Sequence, residues 1–237
     1  DYMVDIMLKS NLLAKTEPNK MENFRHVDPL WVDVYWDPGR NYTVPWQWGT
    51  TSFTVDTAKY KGDINTLAVL FDPPQELCGR INMLTDMNDV INAGLRYLNL
   101  PRCNNNPDDL KKVSEQLLKS KACWRTFSYD TIQMMTSGDI DASQQWNGAS
   151  MRVREQIPTA AYAYPKEGFT GWMDNVAVLA DAPNMENAKK FQNFIAIVKT
   201  QADYSEAGFA LKRIKETEDR IDEFFDSDIA KANELHK

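Results

Sequence analysis

Histidine is nearly missing from this 237-residue chain: His26 and His236 stand close to opposite ends of it. Only three cysteines accompany them, Cys78, Cys103 and Cys123, and no zinc-ligand spacing arises, so no metal site is expected. Basic clusters are missing too. With 27 Lys and Arg against 34 Asp and Glu, a net charge of −7, the sequence lacks the electrostatic footing that nucleic acids and anionic membrane surfaces require. No apolar run is long enough to cross a bilayer, so direct membrane insertion is not expected. No signal peptide opens the chain, and a start at Asp1-Tyr2-Met3-Val4 without an initiator methionine reads as that of a processed or trimmed chain.

What is present is the composition of an ordinary globular protein, 43% apolar and 26% charged, with length for one sizeable domain or two lobes. Residues 2 to 13 carry helical spacing. YTVPWQWGTTSFTV (42–55), dense in aromatic and β-branched residues, reads as an extended crossover strand in which Gly49 marks a bend or a close approach. TLAVLF (66–71) fits a short helix or a strand. INML (81–84) reads as a short buried strand, after which Asp86 caps a helix and Asp89, three residues on, completes a capping-box pattern. Asn106 and Pro107 open a helix with Leu110, Val113, Leu117 and Leu118 on one face. A strand over 126–128, a helix over 131–136 and a buried strand over 175–180 follow, and then a helix capped by Asn184 with Ala188, Phe191, Ile195 and Val198 inward. The stretch from 204 to 235 is charged and helix-prone, with Ile221, Phe224 and Phe225 as its apolar contacts. Cys103 and Cys123 flank the helix that Asn106 starts; a disulfide between them and three reduced cysteines both remain open.

Strands alternating with helices imply an α/β architecture with a mostly parallel sheet, where ligands collect at the carboxyl ends of strands beside helix N-termini. Such an N-terminus ordinarily attracts anions, and two aspartates in the first turn shift that preference toward a cation. A second pointer to a cation lies between 146 and 174. Trp146 and Trp172 offer π faces, the polar turn Tyr164-Pro165-Lys166-Glu167-Gly168 separates them, and Asp174 supplies a carboxylate; together they suit a desolvated organic ammonium. Plainer readings stand beside these. Asp86 serves equally as a helix cap, both tryptophans as core aromatics, Trp46 and Trp48 as same-face packing or hinge support, and Asp139, Asp141, Arg152 and Arg154 as solvated positions.

YTVPWQWGTT (42–51), LTDMNDV (84–90), QQWNGA (144–149) and above all YPKEGFTGWMDNVAV (164–178) resemble, in order and spacing, the spermidine/putrescine-binding proteins of bacterial polyamine ABC transporters over about residues 2 to 200. The resemblance implies a type II periplasmic-binding-protein fold with two α/β lobes, an incomplete first lobe (1–52 and 175–237) and a second lobe (53–174). It also implies that a first-lobe segment normally precedes Asp1. By position, Asp86 and Asp89 correspond to an acidic pair that meets an amine, Trp146 and Trp172 to aromatic walls along the methylene chain, and Asp174 to the carboxylate at a terminal ammonium. Tyr2 corresponds to an aromatic ligand contact, and Phe209 stands where the family carries a tyrosine loop. The implied protein is periplasmic, works with a membrane permease, needs no cofactor and performs no chemistry. The alternative is a carbohydrate-active enzyme or sugar-binding module that uses the same tryptophans as platforms and the same carboxylates as acid and base.

Overall fold

The computed structural model describes residues 2–196, so the helix-prone stretch 204–235, with Phe209, Ile221, Phe224 and Phe225, and the Val198 position lie outside the described residues. Contacts divide the chain into two units, Asp1–Trp48 with Met173–Lys237, and Gly49–Trp172. Two strands carry the chain from one unit to the other: β1 (Thr43–Asp56) outward and β6 (Thr170–Ala177) back.

In the first unit, helix α1 (Tyr2–Lys9) and three short 3-10 turns precede β1, and helix α7 (Met185–Ile195) follows β6. Its core gathers Val27, Val44, Ile195 and Ala196 with Phe24, Trp31 and Phe191. Asn184 sits at the N-cap of α7 without the side-chain bond expected of it. The return strand also starts earlier than the apolar run 175–180 foretells, since β6 takes in Gly171, Trp172 and Asp174 and only Val178 of the run is buried.

A charged pair inside this unit escapes sequence inspection. Arg40 is fully buried; its Nε donates to the Trp31 carbonyl at 2.8 Å, and Nη1 donates to Thr43 Oγ1 at 2.9 Å and to Asn175 Oδ1 at 2.6 Å. Buried Asp37 accepts from the Thr43 amide and hydroxyl, each at 2.8 Å. Burial holds the Arg40 guanidinium down at about 10, with Asp37 acting against that shift.

The second unit is built on a mixed sheet in the order β3-β2-β4-β1-β5, where β2 is Ile81–Met83, β3 Trp124–Phe127, β4 Ala142–Trp146 and β5 Ala160–Tyr162. β2 lies parallel to both β3 and β4, as α/β connections require, whereas the crossing strand β1 runs antiparallel to β4 and β5. Helices α2 (Ala68–Phe71), α3 (Met87–Tyr97), α4 (Pro107–Lys121), α5 (Thr131–Thr136) and α6 (Asn147–Gln156) connect the strands. Phe53, Val55, Leu70, Phe71, Ile81 and Met83 form the main core, and Met135, Ile140, Val153 and Ala160 a second cluster beneath α5 and α6. On α4, Asn106 caps and Pro107 leads as the sequence foretells, but only Val113 of the apolar face is buried and Leu118 is exposed.

Two expectations fail here. The disulfide joins Cys78 to Cys123, leaving Cys103 free and exposed. Its origin is topological: β2 and β3 are parallel neighbours, so the residues just before each strand meet, and the Gly79 amide donates to the Cys123 carbonyl at 2.7 Å. Asp141 is not solvated either. It is buried and accepts from Arg80 Nε at 2.8 Å and Nη2 at 3.0 Å, a bidentate pair that clips β4 to the entry of β2.

Candidate functional site

Because β2, β3 and β4 run in parallel, their carboxyl ends lie at one edge of the second unit, and each feeds a helix there. After β2, the Asp86 carboxylate caps α3, accepting from the Asn88 amide at 2.8 Å and the Asp89 amide at 3.1 Å. The cap reading of Asp86 is realised, and its second oxygen carries no bond among those described. The capping box is not realised: Asp89 accepts instead from the Thr51 hydroxyl on β1 at 3.1 Å. Gln144 Nε2, from a side chain on β4, donates to the Asp89 carbonyl at 3.3 Å, so both neighbouring strands hold the first turn of α3. Burial pushes the half-buried Asp89 carboxyl above its ordinary value, the Thr51 bond opposes this, the Asp86 charge adds to it and the Arg96 charge opposes it. Arg96 does not pair with it directly; its Nη1 donates to the Asn92 carbonyl at 3.3 Å and to Thr170 Oγ1 at 3.2 Å.

Trp146 ends β4 at the same edge and is half-buried. Its ring is stacked by Tyr129, centroids 5.6 Å apart at 14°. Asn147, the next residue, accepts the Thr50 amide on its Oδ1 at 3.1 Å. Trp172 lies against this group: a Cβ on Gly49 would stand 2.5 Å from Trp172 Cζ2 and 2.8 Å from Asn147 Oδ1. The close approach foreseen at Gly49 is thus the seat of the Trp172 indole, whose Nε1–H is buried without an acceptor among the described residues. Gly49→Ala is expected to displace this ring and cost about 1–3 kcal/mol of stability, read as a lower melting temperature. A melting curve unchanged from the parent's would show that the ring yields freely.

The first unit carries the remaining candidates. Asp174, two residues beyond Trp172 on β6, is exposed, and its Oδ2 accepts from Gln47 Nε2 at 2.9 Å. Tyr2 projects from the first turn of α1, 58% exposed. Trp46, expected to pack or support a hinge, is 46% exposed.

The structure therefore gathers Asp86, Asp89, Trp146 and Trp172 within one unit and places Asp174 and Tyr2 in the other. Sequence reasoning missed Tyr129 and Gln47. Tyr129 sits in the polar triplet Ser128-Tyr129-Asp130 directly after a strand, and a strand's carboxyl end is the signal that finds it. Gln47 has no such signal, being one polar residue between two tryptophans.

A family model described as bacterial extracellular solute-binding protein matches residues 1–226. Among curated relatives, the spermidine/putrescine-binding periplasmic protein of Salmonella typhimurium is 30% identical over 196 residues, covering 82% of this chain and 56% of its own length. The putrescine/agmatine-binding protein of Pseudomonas aeruginosa is 25% identical over 200 residues, covering 75% and 53%. The chain thus spans just over half the length of these relatives. Of solved structures, the Tp0655 lipoprotein of Treponema pallidum superposes with a TM-score of 0.74 at 21% identity over 82% of this chain and 62% of its own. The spermidine/putrescine ABC transporter substrate-binding protein of Streptococcus pneumoniae does so with 0.69 at 20%, over 82% and 60%. These likenesses show the fold, that of the substrate-binding proteins of ABC transporters.

Proposed function

We propose that this chain, which belongs to the bacterial extracellular solute-binding protein family, captures polyamines of the putrescine and spermidine kind in the periplasm and delivers them to the permease of an ABC importer. Asp86, Asp89 and Asp174 meet the ammonium groups, Trp146 and Trp172 cover the alkyl spacer, and Tyr2 adds an aromatic contact. The protein binds and releases its ligand without transforming it. One observation carries the ligand class: Asp89 is a half-buried carboxylate that bonds to a hydroxyl and to no cationic side chain among the described residues, near the Asp86 charge and at the same sheet edge as an aromatic pair. Arg96 reaches Asp89 through its charge alone and makes no bond to it, so the carboxylate has no direct cationic partner among the described residues; an alkyl ammonium would supply one while its methylenes lie on the rings. The relatives' names point to the same ligands. The carbohydrate-enzyme alternative finds no support among the relatives, whose names are those of polyamine-binding proteins.

Calorimetric titration with putrescine and spermidine, against a neutral sugar and an amino acid, tests the reading. Selective heat with the amines is expected; binding of the sugar alone, or silence with both amines, overturns it.

Asp89 offers a sharper check. Its pKa is raised in the folded chain, so the ionised form is the costly one, and its contribution to stability is complete below the ordinary aspartate value and is lost as pH rises through the raised one. Asp89→Asn carries no charge to desolvate and keeps an oxygen for Thr51. The variant is expected to melt no lower than the parent at neutral pH, yet to bind amines more weakly. In the parent, amine affinity is expected to fall on acidification from a higher pH than an ordinary aspartate would give. A variant that melts lower and binds equally well would reverse this assignment.

A further inference from the structure

We infer that Tyr129 is a further ligand-contacting residue, which extends Trp146 into a two-ring surface for the alkyl chain of the ligand; the inference rests on the polyamine reading above. No sequence motif marks this tyrosine, and three observations carry it.

The first is position. Tyr129 follows β3 and Trp146 ends β4, and β2, whose exit leads to Asp86 and Asp89, lies between those two strands. Rings from the two outer strands therefore meet across the carboxyl end of the strand that supplies the acidic pair.

The second is how firmly the turn is held. The Ser128 amide donates to the Met83 carbonyl at 3.0 Å, Asn82 Nδ2 donates to the Ser128 carbonyl at 3.0 Å, and the Asp130 amide donates to Ser128 Oγ at 3.0 Å. Asn82 is fully buried in β2, so the residue before Tyr129 is fixed to the strand that positions the carboxylates. The backbone that carries the ring is thus fixed without being part of a core, and preorganisation of that kind lowers the entropy that binding would otherwise cost.

The third is exposure. Tyr129 is 50% exposed, and neither it nor Trp146 belongs to the apolar clusters of the second unit. Packing therefore gives no account of the pair. At 5.6 Å and 14° the rings are stacked with an offset; at ordinary carbon–carbon contact between the planes the sideways displacement is about 4 Å. The result is a stepped aromatic surface longer than one indole. That shape suits an extended alkyl chain with ammonium groups along it better than a compact cation.

Titrations of the parent, Tyr129→Phe, Tyr129→Leu and Tyr129→Ala with putrescine and spermidine test the inference, with melting curves run alongside. The ring is what binds, so Tyr129→Phe is expected to stay within about twofold of the parent. Leucine keeps apolar bulk behind Trp146 but has no π face, and both it and alanine are expected to weaken amine binding about 3- to 30-fold. Equal affinities for the leucine and phenylalanine variants would reduce Tyr129 to packing and overturn the inference, as would loss in the phenylalanine variant, which would assign the effect to the hydroxyl. Should alanine lower the melting point, the comparison of leucine with phenylalanine decides alone. Parent binding that survives every substitution sinks only the role of Tyr129, whereas a parent that binds neither amine sinks the polyamine reading together with it.

Discussion

Asp174→Asn is expected to weaken polyamine binding by about 2 to 5 kcal/mol, a loss of roughly 30-fold to several thousandfold in affinity. The change is isosteric, and the bond from Gln47 Nε2 survives because an asparagine oxygen still accepts it. Asp174 is exposed and stands outside the described apolar cluster of the first unit, so stability is expected to hold. What is removed is one negative charge. If the ligand's ammonium sheds water on capture, its lost hydration goes without compensation and the large end of the range applies. If Asp174 remains in water in the complex, the pair is a surface ion pair and contributes about 0 to 1 kcal/mol. A calorimetric comparison of parent and variant at one salt concentration separates the two. A loss below about 1 kcal/mol overturns the expectation of a desolvated pair at Asp174.

How much of this was legible in the sequence depends on how local each feature is. The caps at Asp86 and Asn106, the proline that opens α4 and the helix over 131–136 follow from neighbouring residues, and each forms where those residues place it. The long strand through the tryptophans was legible for the same reason, from its β-branched and aromatic content. Features that depend on two distant segments meeting were not. Asp89 reads as half of a capping box until β1 is laid beside α3 and presents Thr51. Asp141 looks like turn material until Arg80, 61 residues earlier, reaches it. Arg40 and Asp37 carry no sequence signal of burial, yet both are buried, Arg40 with bonds to the Trp31 carbonyl and to Asn175 and Asp37 with bonds from Thr43. For the candidate site, the residue types were legible from the family resemblance, but the seat of Trp172 on Gly49 and the stacking of Tyr129 on Trp146 arise only when distant strands meet.

Loss of the Cys78–Cys123 disulfide is the larger of the stability effects expected. The bridged residues are 45 apart, and the chain-entropy argument for a loop of that length gives about 4 kcal/mol of constraint on the unfolded chain. Reduction, or Cys78→Ser with Cys123→Ser, is therefore expected to lower the melting temperature by about 10 °C. Cys103→Ser, at a free and exposed thiol, is expected to change nothing and serves as the control. The position of the bridge decides what else moves. It fastens the segments entering β2 and β3, at the amino ends of those strands, whereas Asp86, Tyr129 and Trp146 stand at the carboxyl ends of β2, β3 and β4. Well below the lowered melting point the affinity for amines is thus expected to stay within about twofold of the parent's, because the unfolded state is altered and the site is not. A fall in affinity to match the fall in stability would mean that β2 shifts against β3 when the bridge opens, carrying Asp86 and Asp89 with it. A bridge of this kind persists in oxidising compartments and is scarce in reducing ones, which accords with the proposed capture of the ligand in the periplasm.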